Sequence, residues 1–93
     1  DVEQEVTIDM DGVSVHPNPA NQELTVHLPT VAEFDTPIKM IDQLGKVIRD
    51  TQILQGRDRV SVSTGDIGEG IYFIQIEGGR DNLVRKKVMI VHK

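Results

Sequence analysis

The sequence predicts a single all-β domain, a sandwich of about seven short antiparallel strands, and three observations carry that expectation. Short runs alternate apolar and polar residues, and turn signals separate them about every 8 to 12 residues. No stretch repeats its apolar residues with the 3.6-residue period of a helix. Aromatic residues make up only 3% of the 93 residues, so the core must come from Val, Ile and Leu, and β-branched side chains favour sheet over helix. A chain of this length is too short for two ordinary domains.

Residues 1–10 are acidic and only weakly alternating, with Val2, Val6 and Ile8 as apolar members. Residues 1–12 are therefore expected to be a linker or loosely attached segment, and residues 13–93 the domain proper. Val13 to His16 alternates until Pro17 and Pro19 stop it, since proline lacks the donor that a ladder requires. Pro17-Asn18-Pro19 reads as a rigid corner, with Asn18 held extended by the following proline and its side chain placed to bond nearby backbone. Residues 23–28 alternate cleanly, with Leu24, Val26 and Leu28 on one face and Glu23, Thr25 and His27 on the other. A polar stretch containing Pro29, Thr30 and Pro37 follows.

Ile38 to Asp42 then runs through Gln43-Leu44-Gly45-Lys46 into Val47-Ile48-Arg49, a hairpin whose tight turn Gly45 permits by tolerating positive φ. Gly56 starts another turn, and residues 60–63 form a short alternating strand ended by Thr64-Gly65-Asp66. Gly68-Glu69-Gly70 is a flexible entry into 71–77, the most β-prone run. There Tyr72, Ile74 and Ile76 share the face expected to point inward, and the Tyr72 hydroxyl needs a partner. Residues 78–82 turn the chain into the last strand. Its inward face is Val84, Lys86, Val88 and Ile90, and its outward face is Leu83, Arg85, Lys87, Met89 and Val91. That is more apolar surface than a solvated edge strand needs.

Charge is unevenly spread. The net charge is −5, yet residues 1–35 hold eight acids and no Lys or Arg, while residues 80–93 hold five basic residues and one acid, Asp81. Two readings fit: complementary solvated charge on neighbouring edge strands, or a basic recognition element at the C-terminal end. The acidic balance argues against a general nucleic-acid binder. There is no apolar window long enough to span a bilayer and no signal-peptide pattern. With no cysteine, neither a disulfide framework nor a thiolate metal site can form.

Catalytic signatures are missing: no nucleophile-elbow motif, no phosphate-binding glycine loop with lysine, no His-Glu-x-x-His. His16, His27 and His92 fall on or beside different strands, so no metal is expected. Asp9-Met10-Asp11-Gly12 matches the start of a calcium loop, but no Glu closes it. Phe34, Tyr72 and Phe73 are the only aromatics, too few for a sugar platform. No cofactor is expected, and binding is favoured over catalysis.

Three constellations remain: Pro17-Asn18-Pro19-Ala20, Asp42-x-x-Gly45-Lys46-Val47-Ile48, and Gly68 to Ile74. In order, and together with the Lys86-Lys87-Val88-Met89-Ile90 ending, they resemble the C-terminal sorting domain of the type IX secretion system over residues 13–93. The resemblance implies an immunoglobulin-like sandwich at the end of a larger cargo protein, which it directs across the outer membrane of a Gram-negative bacterium to the surface or the medium. It implies as partners the outer-membrane translocon and shuttle proteins of that system. It also implies a sortase-like enzyme that removes the domain and joins the cargo to surface lipopolysaccharide. One departure is His16, where the family commonly has an aromatic residue. The candidate recognition residues are Pro17, Asn18, Pro19, Gly45, Gly70, Tyr72, Arg85, Lys86, Lys87, Val88, Met89 and Val91. The competing reading is a small immunoglobulin-like adhesion or carbohydrate-binding module, which would need an aromatic platform or a calcium site.

Overall fold

A computed structural model describes residues 12–17, 20–79 and 83–92. Among them are seven strands: β1 (Ser14–His16), β2 (Glu23–His27), β3 (Thr36–Ile41), β4 (Val47–Ile53), β5 (Arg59–Ser63), β6 (Gly70–Glu77) and β7 (Leu83–Ile90). They form two antiparallel sheets, β1-β2-β5 and β4-β3-β6-β7, so the chain is an all-β, sandwich-like fold of the expected class. The expected linker, residues 1–12, lies outside the described residues except for Gly12.

Period-two alternation decides which side chains go inside. Leu24, Val26 and Val62 of the smaller sheet face Ile38, Met40, Ile53, Ile74, Ile76, Val84, Val88 and Ile90 of the larger one, and Leu28 closes the same cluster. Of the residues expected in the core, Tyr72 alone is half-buried, because it lies near the start of β6 with its ring against the cluster edge and its hydroxyl turned to the Gly68 carbonyl. The central pairing is β3 with β6, in register from Ile38↔Ile76 to Ile41↔Phe73.

Two details differ from simple alternation. Pro37 lies inside β3 instead of in the loop before it. It is tolerated because it is in register only with Gln52 of β4, one residue before pairing with β6 begins, so its missing N–H removes no bond on that side. In β4, Val47 opposes Ile41 but Arg49 opposes Met40, leaving Ile48 as the extra residue of a β-bulge. The bulge puts Arg49 on the seam between the sheets. There its Nε donates to the Ser63 carbonyl at 3.2 Å, Nη1 donates to the Ile48 carbonyl at 3.0 Å, and Nη2 bonds the Asp66 carboxylate. The hydrogen bond from Arg49 holds the Asp66 carboxyl below the usual carboxylate range.

The opposite seam is closed by backbone. Ala20 N–H donates to the Met89 carbonyl and Val91 N–H donates to the Ala20 carbonyl, each at 2.8 Å, a parallel bridge that ties the β1–β2 connection to the edge of β7.

Two outcomes follow from this architecture. Ile74 is fully buried on a central strand, so Ile74→Ala should destabilise the domain by about 2 to 5 kcal/mol in a urea titration, through lost transfer energy and the cavity left behind. Because the Asp66 pKa is lowered on folding, its contribution is complete above the unfolded carboxylate value and is lost as pH falls through the folded one. The wild-type melting temperature should therefore drop more on acidification below about pH 4 than that of Asp66→Asn, which has no charge to lose.

Candidate functional site

Segments scattered along the sequence meet at one end of the sandwich. The first is the β3–β4 hairpin tip. Asp42 N–H donates to the Lys46 carbonyl and Gly45 N–H to the Asp42 carbonyl, both at 3.0 Å. The Asp42 carboxylate accepts from the Leu44 N–H at 2.8 Å and the Lys46 N–H at 2.9 Å. Aspartate caps such a turn because one oxygen can serve two backbone donors. Gly45 occupies φ 89°, a left-handed conformation that costs a side chain free energy.

The second segment is the loop from Thr64 to Gly70. Thr64 is fully buried; its N–H donates to the Gln22 carbonyl at 2.9 Å and its hydroxyl to the Asn21 carbonyl at 2.8 Å. The Tyr72 hydroxyl donates to the Gly68 carbonyl at 2.7 Å, giving the buried ring edge the partner that its sequence position called for. Gly70, at φ 151°, opposes Ile90.

The third is the end of β7 with its tether to Ala20. Just beyond it, His92 N–H donates to Glu69 Oε2 at 2.9 Å. The His92 ring fits between Asn21 and the second loop, with Nδ1 2.6 Å from Asn21 Oδ1 and Nε2 2.6 Å from the Ile67 carbonyl. His92 thus binds the C-terminal end to the second loop and to Asn21 of the β1–β2 connection. The sequence pattern does not single out His92, Asn21, Thr64 or Glu69 for this end; only the turn-like Thr64-Gly65-Asp66 hints at it.

The candidate recognition residues fall into distinct places. Gly45, Gly70 and Tyr72 belong to this end. Pro17 is exposed after β1, following a cis His16–Pro17 bond. Asn18 and Pro19 lie outside the described residues, and with them the expected corner and the Asn18 hydrogen bond. On β7, Arg85, Lys87 and Met89 point outward and are exposed, Lys86 is half-buried on the inner side, Val88 is in the core, and Val91 is half-buried with its N–H on Ala20. Arg85 Nε donates to Gln75 Oε1 at 3.1 Å.

Phe34 packs beside Gly79 at the far end, while Tyr72 and Phe73 point to opposite faces of β6, so the three aromatics make no shared platform. Among the described residues no three His, Asp or Glu side chains are grouped to hold a metal ion. A charged cluster on the smaller sheet, His27, Asp58 and Arg59, is a surface network in which Arg59 lowers the Asp58 pKa. The convergent end is a surface whose loops are held by hydrogen bonds from several segments.

A family model for the secretion system C-terminal sorting domain matches residues 14–91. The chain belongs to that family, the sorting domains of type IX secretion. A search of curated proteins finds no match. The matched span runs from β1 to just past β7, so the segments that meet at the hairpin end of the sorting domain lie within it, with His92 one residue beyond. A C-terminal signal for type IX secretion, with its link to the outer membrane and cell surface, is what membership in this family means.

The hairpin cap can be tested directly. Asp42→Ala deprives two backbone N–H groups of their acceptor and should cost about 1 kcal/mol in urea unfolding. Asp42→Asn keeps an acceptor oxygen and should cost less than half of that.

Proposed function

We propose that the sorting domain acts by being bound, and that its hairpin end is the surface the secretion machinery reads while carrying a larger cargo across the outer membrane. The observation that carries this reading is the convergence itself. The Asp42 to Lys46 turn, the Gly68 to Tyr72 loop, Ala20 and the end of β7 are far apart in sequence and adjacent in the fold. A machine that must recognise many cargoes needs one constant surface, and a folded end with backbone-capped loops provides it. On this reading residues 1–12 join the domain to its cargo and residues 13–93 are the signal.

The basic outward face of β7 contributes steering. Arg85 and Lys87 set positive charge on an acidic domain, and complementary potentials speed encounter more than they raise affinity. The translocon and its shuttle are the proposed partners, in a Gram-negative bacterium that moves the protein through the periplasm to its surface or the medium. A sortase-like enzyme that removes the domain and couples the cargo to lipopolysaccharide completes the proposal.

The experiment is to fuse a soluble reporter ahead of residues 1–93 in a bacterium with a working type IX system, and in a sister strain lacking its translocon. The reporter should reach the surface or medium only in the first. Equal release from both strains, or none from either, would end this reading. In the same assay Arg85→Glu/Lys87→Glu should fold, since surface changes usually cost under about 0.5 kcal/mol each, and should leave the reporter in the periplasm. A variant with an unchanged melting temperature that is exported as well as wild type removes β7 charge from the signal.

A further inference from the structure

The outer face of the β4-β3-β6-β7 sheet is divided in two. In the half away from the hairpin the polar groups satisfy one another: Lys39 lies opposite Asp50 and donates to Glu77 Oε2 at 3.1 Å, and Arg85 is bonded to Gln75. The half beside the hairpin is largely apolar. One cross-strand row runs Val47, Ile41, Phe73 and ends in Lys87, and the next pairs Ile71 with Met89. Ile41 is buried although it belongs to no part of the main core, which marks this as a second, thin hydrophobic layer on the outside of the sheet. Leu44 at the hairpin tip is 93% exposed and Val47 46%. A monomer gains nothing from presenting these groups to water, and contiguous exposed apolar surface rimmed by polar groups marks contact sites.

Next to this layer is an open groove whose lining includes Asp42, Leu44, Glu69, Ile71 and Tyr72. Both carboxylates accept backbone N–H bonds, and among the described residues neither has a cationic partner. The groove therefore joins two negative charges to an apolar wall and an aromatic ring. Its complement is a cationic side chain with apolar neighbours, the charge meeting Asp42 and Glu69 and the stem lying on Leu44 and Ile71.

We propose that the apolar half-face and this groove form one docking surface for a protein partner that presents apolar side chains with a Lys or Arg among them. The proposal rests on the sorting-signal reading and names the surface and chemistry by which that signal is held.

The test uses the reporter fusion with Leu44→Glu, Val47→Glu and Glu69→Gln, the last keeping an acceptor for the His92 N–H while removing the charge. As controls, Val31→Glu and Leu54→Glu change apolar residues about as exposed as Val47, 56% and 50%, outside this face. Melting temperatures are measured for all five. Export should fall roughly tenfold for Leu44→Glu and Val47→Glu and several-fold for Glu69→Gln, as loss of interface anchors does, with the controls unchanged. Folded face variants exported like wild type would overturn the proposal, as would controls that fail equally. Export of Glu69→Gln at the wild-type level would overturn the cationic partner. Sedimentation of the wild-type chain as a dimer that Leu44→Glu dissociates would give the face to a second copy instead. Binding to phosphatidylethanolamine–phosphatidylglycerol vesicles that Leu44→Glu abolishes would give it to lipid. Failure of the wild-type fusion to leave the cell fails the sorting reading itself, and so is distinct from failure of the variants alone.

Discussion

The two backbone hydrogen bonds between Ala20 and β7 are the constraint on which the hairpin end of the domain depends. They join the connection between two strands of one sheet to the edge strand of the other, on the side of the sandwich where no continuous strand crosses over. Ala20 is 1% exposed, and its small side chain lets the connecting backbone come within hydrogen-bond distance of β7 while the methyl group enters the core. A larger residue there would have to displace packed neighbours. Asn21 follows at once, and its carbonyl and side chain receive Thr64 and His92. Fixing Ala20 against β7 thereby fixes Asn21, which in turn positions the loop before β6 and the chain end. The surface assembled this way exists only in the folded sandwich, so an unfolded C-terminal peptide would carry the motif residues without their arrangement.

The two ends of the sandwich are held by different chemistry. At the far end the long loops are fastened by backbone bonds, Leu28 to Asp58, Ala32 to Arg57 and Gly56 to Ala32, with Asp35 accepting from the Gln55 N–H. At the hairpin end the backbone bonds are joined by several side chains of particular identity: Asp42, Thr64, Tyr72, Glu69 and His92. Backbone bonds can form whatever the sequence, whereas side-chain bonds to backbone need the right residue at each position. A surface built the second way is tied to its sequence, which is what a shared signal requires. The seam at Arg49 shows the same logic, one guanidinium spanning from β4 to Ser63 and Asp66.

Much of this was legible in the residues. Period-two alternation placed the inward faces of β2, β6 and β7, because those strands have one dry face and no irregularity. It assigned no face in β4, where the Ile48 bulge resets the alternation and nothing local in Val47-Ile48-Arg49 announces it. It also left Pro37 in a loop, since only the strand order shows that its unpaired side meets no neighbour. The turn at Gly45 was clear from local chemistry, and Asp42 could be named although its two N–H bonds could not. His92 was unreadable for a different reason. Its partners Asn21 and Ile67 are 71 and 25 residues away, and no periodicity relates them. The motif segments could each be recognised in order, but their meeting at one end depends on the sheet topology β4-β3-β6-β7 and on the Ala20 bridge.

The basic outer side of β7 has two physical explanations, and the structure lets both hold. β7 is an eight-residue strand at the edge of its sheet, the kind of element that invites pairing with another chain. Among the described residues Ala20 bridges to its end, and outward Arg85 and Lys87 place charge along the rest, as charges on edge strands commonly do. That role needs positive charge but no particular partner. Edge protection does not explain the apolar layer of Val47, Ile41, Phe73 and Ile71, which lies on the outer face of a sheet whose other half is polar and internally satisfied. Charge on β7 can protect the edge and speed encounter, but it discriminates poorly, because screened surface charges attract many acidic partners alike. Shape and apolar complementarity, with two carboxylates beside them that a cation must match, discriminate better. On the proposed docking reading, specificity belongs to the hairpin half of the face, and the basic strand beside it supplies rate and edge protection.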